Sequence, residues 1–138
     1  MTAALVRTVR FEARHHLRRP DWSDAENWAA FGPLSDPAGH AHDYRCVVTV
    51  EGPLDHGMVM DLTLLDRLLE EEVRAPMDGR HLNVELPAFG PLGTLPTCEA
   101  IAGEVAVRLL PRLPAGVQLA KVHIAEDETL AGEWNAEG

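Results

Sequence analysis

Three histidines have the residue type and spacing from which a metal centre can be built. His40 and His42 are separated by one residue, so on a β-strand both imidazoles project from one face, roughly 6–7 Å apart along the chain. His15 ends an earlier segment, and it lies beside this pair if the two segments pair as antiparallel strands. Three histidines with an open fourth position are typical of catalytic zinc, because the vacancy accepts water or a substrate oxygen. An H-x-H pair alone is a weak signal, since most such pairs are ordinary surface or core residues.

The elements that position these histidines follow from the periodicity of the chain. Residues 5–16 alternate with period two and residues 40–50 are rich in β-branched side chains, which predicts two strands. Apolar stripes with helical spacing follow the candidate N-caps Asp61 and Thr97. Two further strands are predicted at 117–126 and 130–134. The order is ββααββ, and we expect an α+β fold with the two helices on one face of an antiparallel sheet.

Two segments lack this periodicity. Residues 18–39 are rich in Pro, Asp and Trp, and residues 77–96 carry several Pro and Gly. We expect irregular structure in both. The first segment is long for a structureless connection, and loops of that length are often functional.

Composition limits the classes of protein and partner. The length of 138 residues and the 46% apolar content predict one domain, spanning 1–138, with a core of its own. Lys and Arg number 12 against 22 Asp and Glu, and the net charge of −10 argues against nucleic acid, whose phosphates require a basic face. No apolar run approaches the ~18 residues of a membrane span, so we expect no membrane partner. Two cysteines and no evident signal peptide favour a cytoplasmic protein.

Six segments of the chain, in order and at matching spacing, carry a family resemblance. They are 11–17 (FEARHHL), 31–32 (FG) with 37–44 (PAGHAHDY), 57–62 (GMVMDL), 77–83 (MDGRHLN), 96–99 (PTCE) and 121–126 (KVHIAE). Together they resemble the 6-pyruvoyltetrahydropterin synthases and the related 6-carboxytetrahydropterin synthases. FEARHHL is similar to the F-x-A-x-H-x-L signature of that family, and PAGHAHDY to its segment with two zinc-binding histidines.

The resemblance implies a fold, an assembly and a ligand set. It implies the tunnelling fold, a four-stranded antiparallel sheet with two helices, assembled as a homo-oligomeric ring that we expect to be a hexamer with active sites at subunit interfaces. The cofactor it implies is Zn²⁺, held by His15, His40 and His42. Glu126 matches the late-strand glutamate that anchors the pterin, and a carboxylate can accept two parallel donors from a guanidine-like edge. Glu99 is a candidate for a second polar contact, or else a first-turn carboxylate favoured by the helix dipole.

The chain departs from the family pattern at the acid–base residues. The family's catalytic cysteine, a few positions before the H-x-H pair, is absent here, and Leu34 stands six residues before His40. The aspartate of the family's Asp–His pair matches Asp78, but Gly79 stands where the histidine is expected.

Asp36 and His81 are candidate substitutes in this acid–base set, with Asp78 orienting His81 or another group. Some relatives carry a glutamate in place of the cysteine and cleave the dihydroneopterin side chain, and Asp36 resembles that substitution with a shorter arm. The alternatives are that Asp36 caps an Asp-Pro turn and that His81 is a surface histidine of a loop.

Two hypotheses about function follow. The first is a zinc-dependent carbon–oxygen or carbon–carbon lyase that acts on the side chain of 7,8-dihydroneopterin triphosphate or a related dihydropterin, with a non-standard acid–base set. The second is a divergent paralogue that binds zinc and a pterin-like molecule as a sensor, a carrier or a specialised-metabolism protein. Arginines near the predicted site suit a triphosphate because their forks donate bidentately. The candidates are Arg14, Arg18, Arg19 and, above all, Arg80. The alternative is that they are ordinary surface arginines.

Overall fold

The structure is a computed structural model that describes residues 2–137; Met1 and Gly138, the ends of the predicted domain, lie outside the described residues. Helices and strands follow one another along the chain, and the strands form one sheet. In chain order the elements are β1 (Thr2–His15), α1 (Asp24–Phe31), β2 (His40–Pro53), α2 (Leu62–Leu69), α3 (Ala75–Met77), β3 (Arg80–His81), α4 (Leu82–Glu85), α5 (Cys98–Leu109), β4 (Gln118–Ala125) and β5 (Ala131–Asn135).

The sheet has five strands in the order β3-β1-β2-β4-β5. The four long strands pair antiparallel, as the ββααββ pattern predicts. The fifth strand, β3, has two residues and pairs parallel to the end of β1, through Ala13 with Arg80 and Arg14 with His81. The α+β fold with helices on an antiparallel sheet is thereby confirmed, and a short parallel edge is added to the four predicted strands.

Strands β1 and β2 form a long hairpin-like pair that determines where the histidines lie. Their register places His15 opposite His40 and Ala13 opposite His42. Along the C-terminal half of β1, buried residues alternate with exposed ones, so one face of the sheet packs on the core. Phe11 and Tyr44 stack on that face with ring centroids 5.0 Å apart.

Two helices cover the inner face of the sheet, because each carries an apolar stripe. In α2 the stripe is Leu65, Leu68 and Leu69, and the helix continues through a π-helical turn at Glu70–Arg74 into α3. Asp61 caps α2 by accepting from Thr63 N, as the sequence predicts. The stripe of α5, which packs on β4 and β5, consists of Ile101, Ala102, Val105, Ala106 and Leu109.

The irregular structure expected for 18–39 is wrong in part. That segment contains α1, whose N-cap Ser23 accepts from Glu26 N while the Glu26 carboxylate accepts from Ser23 N. The buried Asn27 side chain then ties the helix to the chain before it, accepting from Arg19 N and donating to Arg19 O. Segment 77–96 likewise contains β3 and α4. Among residues 2–137, no helix combines the length and the apolarity needed to cross a bilayer.

Candidate metal centre and active site

Three imidazoles converge at the end of the β1–β2 pair. The ring centroid of His15 lies 4.6 Å from that of His40 and 5.1 Å from that of His42, and the latter two are 4.9 Å apart. One nitrogen from each ring lies within 4.8 Å of the other two. Cross-strand pairing brings His15 to the pair and the two-residue period of β2 keeps His40 and His42 on one face. Such a cluster can hold a metal ion.

The surroundings of His15 orient one nitrogen towards the cluster. Its Nδ1 lies 2.8 Å from the carbonyl oxygen of Pro96 and 3.2 Å from the hydroxyl of Tyr44. Its Nε2 is buried and has no hydrogen-bond partner among residues 2–137. A carbonyl that accepts from one ring nitrogen leaves a lone pair on the other, which is the usual arrangement of a metal-binding histidine.

Burial keeps the His15 ring neutral. Desolvation lowers the pKa of His15 to about 4, against a smaller opposing effect of the hydrogen bond to Pro96 O. A metal ion binds the neutral form of imidazole, so this ring needs to lose no proton near neutral pH. The cluster therefore fits a divalent ion that accepts nitrogen ligands.

Glu126, the residue that follows β4, reaches the histidine cluster. Its Oε2 lies 2.8 Å from His42 Nε2, although no described residue, Glu126 included, meets hydrogen-bond geometry with that nitrogen. Its Oε1 accepts from the thiol of Cys98, with Sγ and Oε1 3.4 Å apart. Burial and then the charge of Glu126 raise the pKa of Cys98 to about 12, so this thiol remains protonated. No local sequence pattern predicts this contact, because it joins residues 28 positions apart.

The two candidate catalytic aspartates bind the backbone of their own chain. Asp36 is exposed, and its Oδ1 accepts from Ala38 N at 3.0 Å, which is the contact of a turn-capping residue. Asp78 Oδ1 accepts from Glu12 N at 2.9 Å, and its Oδ2 lies 3.4 Å from Arg74 Nη1. Neither carboxylate belongs to the histidine cluster that could hold a metal ion.

His81 lies behind the turn that leads into β2. Its Nε2 is 3.3 Å from Pro37 O, and its ring centroid is 5.1 Å from that of His16. A Cβ placed on Gly39 would lie 2.9 Å from His81 Nε2, so the ring packs directly on the residue before His40. His81 thus supports the turn that precedes His40 without joining the histidine cluster.

The remaining candidates have structural partners or lie at the surface. Arg80 donates to Glu85 Oε1 at 3.2 Å, and Glu99 is exposed in the first turn of α5. Arg14 donates to the carbonyl of Gly39 at 2.9 Å, which holds the same turn from the other side. Arg18 and Arg19 pair with Asp24 and Asp21 respectively.

Comparison with known proteins gives a consistent match along the chain. The family model described as 6-pyruvoyl tetrahydropterin synthase matches residues 4–137. The 6-pyruvoyl tetrahydrobiopterin synthase of Homo sapiens is 38% identical over 128 residues, covering 91% of this chain and 86% of that protein. The dihydroneopterin monophosphate aldolase of Pyrococcus furiosus is 26% identical over 126 residues and covers 91% of both chains.

Solved structures agree with the fold. The 6-pyruvoyl tetrahydropterin synthase of Caenorhabditis elegans superposes with a TM-score of 0.88 at 28% identity, covering 99% of this chain and 97% of that chain. The enzyme of the same name from Plasmodium falciparum has a TM-score of 0.67 at 14% identity over 98% of both chains, which supports the fold alone. With its family match, its relatives above 30% identity and its histidine cluster, the chain belongs to the 6-pyruvoyl tetrahydropterin synthase family.

Proposed function

We propose that this protein is a zinc-dependent lyase that acts on the side chain of a dihydropterin, 7,8-dihydroneopterin triphosphate or a close relative. The observation that carries the proposal is the convergence of His15, His40 and His42, in which the buried Nε2 of His15 has no hydrogen-bond partner within residues 2–137. Family membership makes the chain a lyase of the 6-pyruvoyl tetrahydropterin synthase type. The metal, the substrate and the acid–base residues are our inference.

Zinc suits this donor set. Three imidazoles without a thiolate are the ligands that a protein supplies in a catalytic zinc site, in which water or substrate takes the fourth position. Zinc bound there would polarise a side-chain hydroxyl or carbonyl of the substrate and make its neighbouring protons more acidic. Pro96 O and the Tyr44 hydroxyl contact Nδ1 of His15 and hold the ring in the orientation that metal binding through Nε2 needs.

Glu126 is the proposed anchor of the pterin ring. A pterin presents a ring N–H and an exocyclic amine side by side, and one carboxylate accepts both bonds with good geometry. The short approach of Glu126 Oε2 to His42 Nε2 supports this role, because it places the ring anchor next to the proposed metal. A substrate held at Glu126 therefore has its side chain close to the histidine cluster.

The acid–base set is proposed to be completed by a second copy of the chain. In their own chain Asp78 contacts Glu12 N and His81 contacts Pro37 O, yet a proton transfer needs a group within about 3 Å of the reacting atom. We infer a homo-oligomer, a hexamer, in which Asp78 and His81 of one copy face the histidine cluster of another, and Arg80 and Glu99 line the same interface.

The relatives point to two related reactions on the side chain. The Pyrococcus furiosus relative is named an aldolase, while the human relative is named a synthase. A carboxylate base favours deprotonation of a side-chain alcohol, which leads to retro-aldol cleavage of a carbon–carbon bond. Asp36, four residues before His40, is the carboxylate of this chain that we place in that role.

One assay separates turnover from binding. Purified protein loaded with zinc is incubated with dihydroneopterin triphosphate and, separately, with dihydroneopterin, and the products are identified by mass spectrometry. We expect release of triphosphate, acetaldehyde or glycolaldehyde. Unchanged substrate together with tight binding would instead support the divergent binding protein, since it would show the ligand site without the chemistry.

The metal is tested independently of turnover. We expect one zinc per chain by elemental analysis, and loss of that zinc in H40A and in H42A. R67Q, a surface substitution on α2, serves as the control and retains the metal. A wild-type protein without bound metal at saturating zinc would contradict the proposed site.

A further inference from the structure

The two oxygens of the Glu126 carboxylate have different surroundings. Oε2 approaches His42 Nε2 at 2.8 Å, whereas Oε1 accepts from Cys98 Sγ at 3.4 Å. The exposed fraction of the Glu126 side chain is 12%, so contacts with solvent contribute little to fixing the orientation of the carboxylate. We propose that Cys98 is a positioning residue whose thiol donates to Glu126 Oε1 and fixes the plane of the carboxylate that receives the substrate ring. This inference rests on the proposed role of Glu126.

The backbone on the Glu126 side of the contact is held by a tight turn. Glu126 N donates to Leu130 O at 3.1 Å, and Asp127 Oδ1 accepts from both Thr129 N and Leu130 N. The turn joins β4 to β5 and brings β5 back along the sheet. The Cα of Glu126 is therefore fixed, and the remaining freedom lies in its side-chain torsions.

The backbone on the Cys98 side is held just as closely. Cys98 begins α5, after the N-cap Thr97, whose hydroxyl accepts from Ala100 N. A Cβ placed on Gly132 would lie 2.3 Å from Glu99 N and 2.8 Å from the carbonyl carbon of Cys98. Only a glycine in β5 permits this close approach, which locks the start of α5 onto the sheet next to the turn of Glu126.

The chemistry of the pair makes the thiol a donor and not a nucleophile. Burial raises the pKa of Cys98, and the negative charge of Glu126 raises it further, so the proton stays on sulfur. A carboxylate oxygen has two lone-pair sites, so Oε1 can accept from the thiol and still accept one bond from a ligand. The contact thus orders the carboxylate without blocking it.

A carboxylate that is ordered before the ligand arrives loses less conformational freedom on binding. An unrestrained glutamate must restrict up to three torsions when it accepts a bidentate donor, and that ordering weakens affinity. We expect the thiol contact to strengthen binding of a pterin edge roughly 5- to 15-fold, near the upper end of what one ordinary hydrogen bond contributes, because the acceptor is charged. Metal binding is not expected to change, because Cys98 lies outside the ligating cluster.

The test uses neopterin, a fluorescent oxidised pterin that presents the same ring edge and is not a substrate for the proposed reaction. Its Kd is measured for zinc-loaded wild type, C98A, C98S and E126Q, with C46A as the matched control that removes the other buried thiol. We expect C98A to bind roughly 5- to 15-fold more weakly, and C98S and C46A to stay within about threefold of wild type. Wild-type affinity in C98A, or equal loss in C98S and C98A, would overturn the proposal.

A second readout does not depend on any ligand. In the C46A background Cys98 is the one remaining cysteine, so the infrared S–H stretching band reports on it alone. We expect this band below the frequency of a free thiol, and a shift upwards in E126Q because an amide oxygen accepts more weakly than a carboxylate. An unshifted band would show that no such bond exists.

The two measurements separate this inference from the proposed function. If E126Q binds neopterin as wild type does, Glu126 is not the ring anchor, whatever the S–H band shows. If E126Q loses affinity while C98A keeps it, the anchor stands and the positioning role of Cys98 is wrong.

Discussion

Asp36 lies four residues before His40, in the turn that leads into β2. Its carboxylate caps that turn through Ala38 N, and a capping role and a catalytic role make different demands on the side chain. An asparagine keeps the oxygen that accepts from Ala38 N but cannot take up a proton near neutral pH.

We therefore expect D36N to keep the stability of the wild type and to lose turnover by roughly 100-fold or more, as general-base removal does. The measurements are the urea midpoint and the rate of product formation at saturating dihydropterin. Lower stability with full turnover would assign Asp36 to the turn alone. H81A, assayed in parallel, tests His81, the other candidate substitute in the acid–base set.

Gly39 is the glycine on which the position of the histidine cluster depends. Its φ is +78°, and an added Cβ would lie 2.9 Å from both His15 O and His81 Nε2. The clash would displace the residue that immediately precedes His40. Gly57 has a similar φ of +82° but no heavy atom within 4 Å of an added Cβ, which makes it a matched control.

G57A is expected to cost about 1 kcal/mol of unfolding free energy, from the left-handed backbone alone. G39A is expected to cost roughly 2–4 kcal/mol, because the clash adds to that strain, and to weaken zinc binding as well. Denaturant unfolding and competition with a zinc chelator give the two quantities. Equal effects of the two substitutions would mean that the turn relaxes freely around the new methyl group.

At the scale of the element, α1 is the helix that periodicity misses. Its apolar residues form no continuous stripe, and it is buried mainly through the polar Asn27. The signal that finds it is the capping box, Ser23 followed three residues later by Glu26.

We expect S23A to cost about 1 kcal/mol of unfolding free energy and S23G only a few tenths, because glycine itself favours an N-cap conformation. Equal costs for the two substitutions in denaturant unfolding would count against the cap.

The features that the sequence predicts best are those that follow from the two-residue period of a strand and from one antiparallel pairing of strands. The alternation in β1 and β2 predicts the strands, and antiparallel pairing then brings His15 opposite His40, as the structure confirms. The contact of Cys98 with Glu126 joins residues 28 positions apart. It depends on how closely α5 packs on β5 at Gly132, and no local pattern encodes that distance. Strand β3 is likewise a product of tertiary contact, since Gly79 N donates to Glu12 O beside it.

At the scale of the whole molecule, the sheet has long edges without a neighbour in the described part of the chain. Strand β5 is one outer strand, and β3 covers only Ala13 and Arg14 of the 14-residue β1. Exposed edges of this length are templates for pairing with another chain. In the ring that we propose, further copies of the chain would cover these edges, satisfy their backbone groups and bring the sites of neighbouring copies together.

The shared site that we propose can be tested by complementation between two defective variants. H40A lacks a metal ligand and D78N/H81A lacks part of the acid–base set, so each alone is expected to lose turnover. If the two contributions come from different copies, some sites in a mixed oligomer combine an intact cluster with intact Asp78 and His81. Co-refolding the variants at equal ratio is then expected to restore a fraction of the wild-type rate, at most about one quarter if pairing between two copies is random.

The control for complementation is a mixture of H40A with H42A, which damages the same cluster in both copies and can restore nothing. Analytical ultracentrifugation of each mixture gives the assembly, which we expect to be a hexamer, and mass spectrometry confirms that both variants are present in it. No recovered turnover in mixed oligomers of H40A with D78N/H81A would place the whole catalytic set within one chain. That result would require Asp78 and His81 to move towards the cluster from their observed contacts with Glu12 N and Pro37 O.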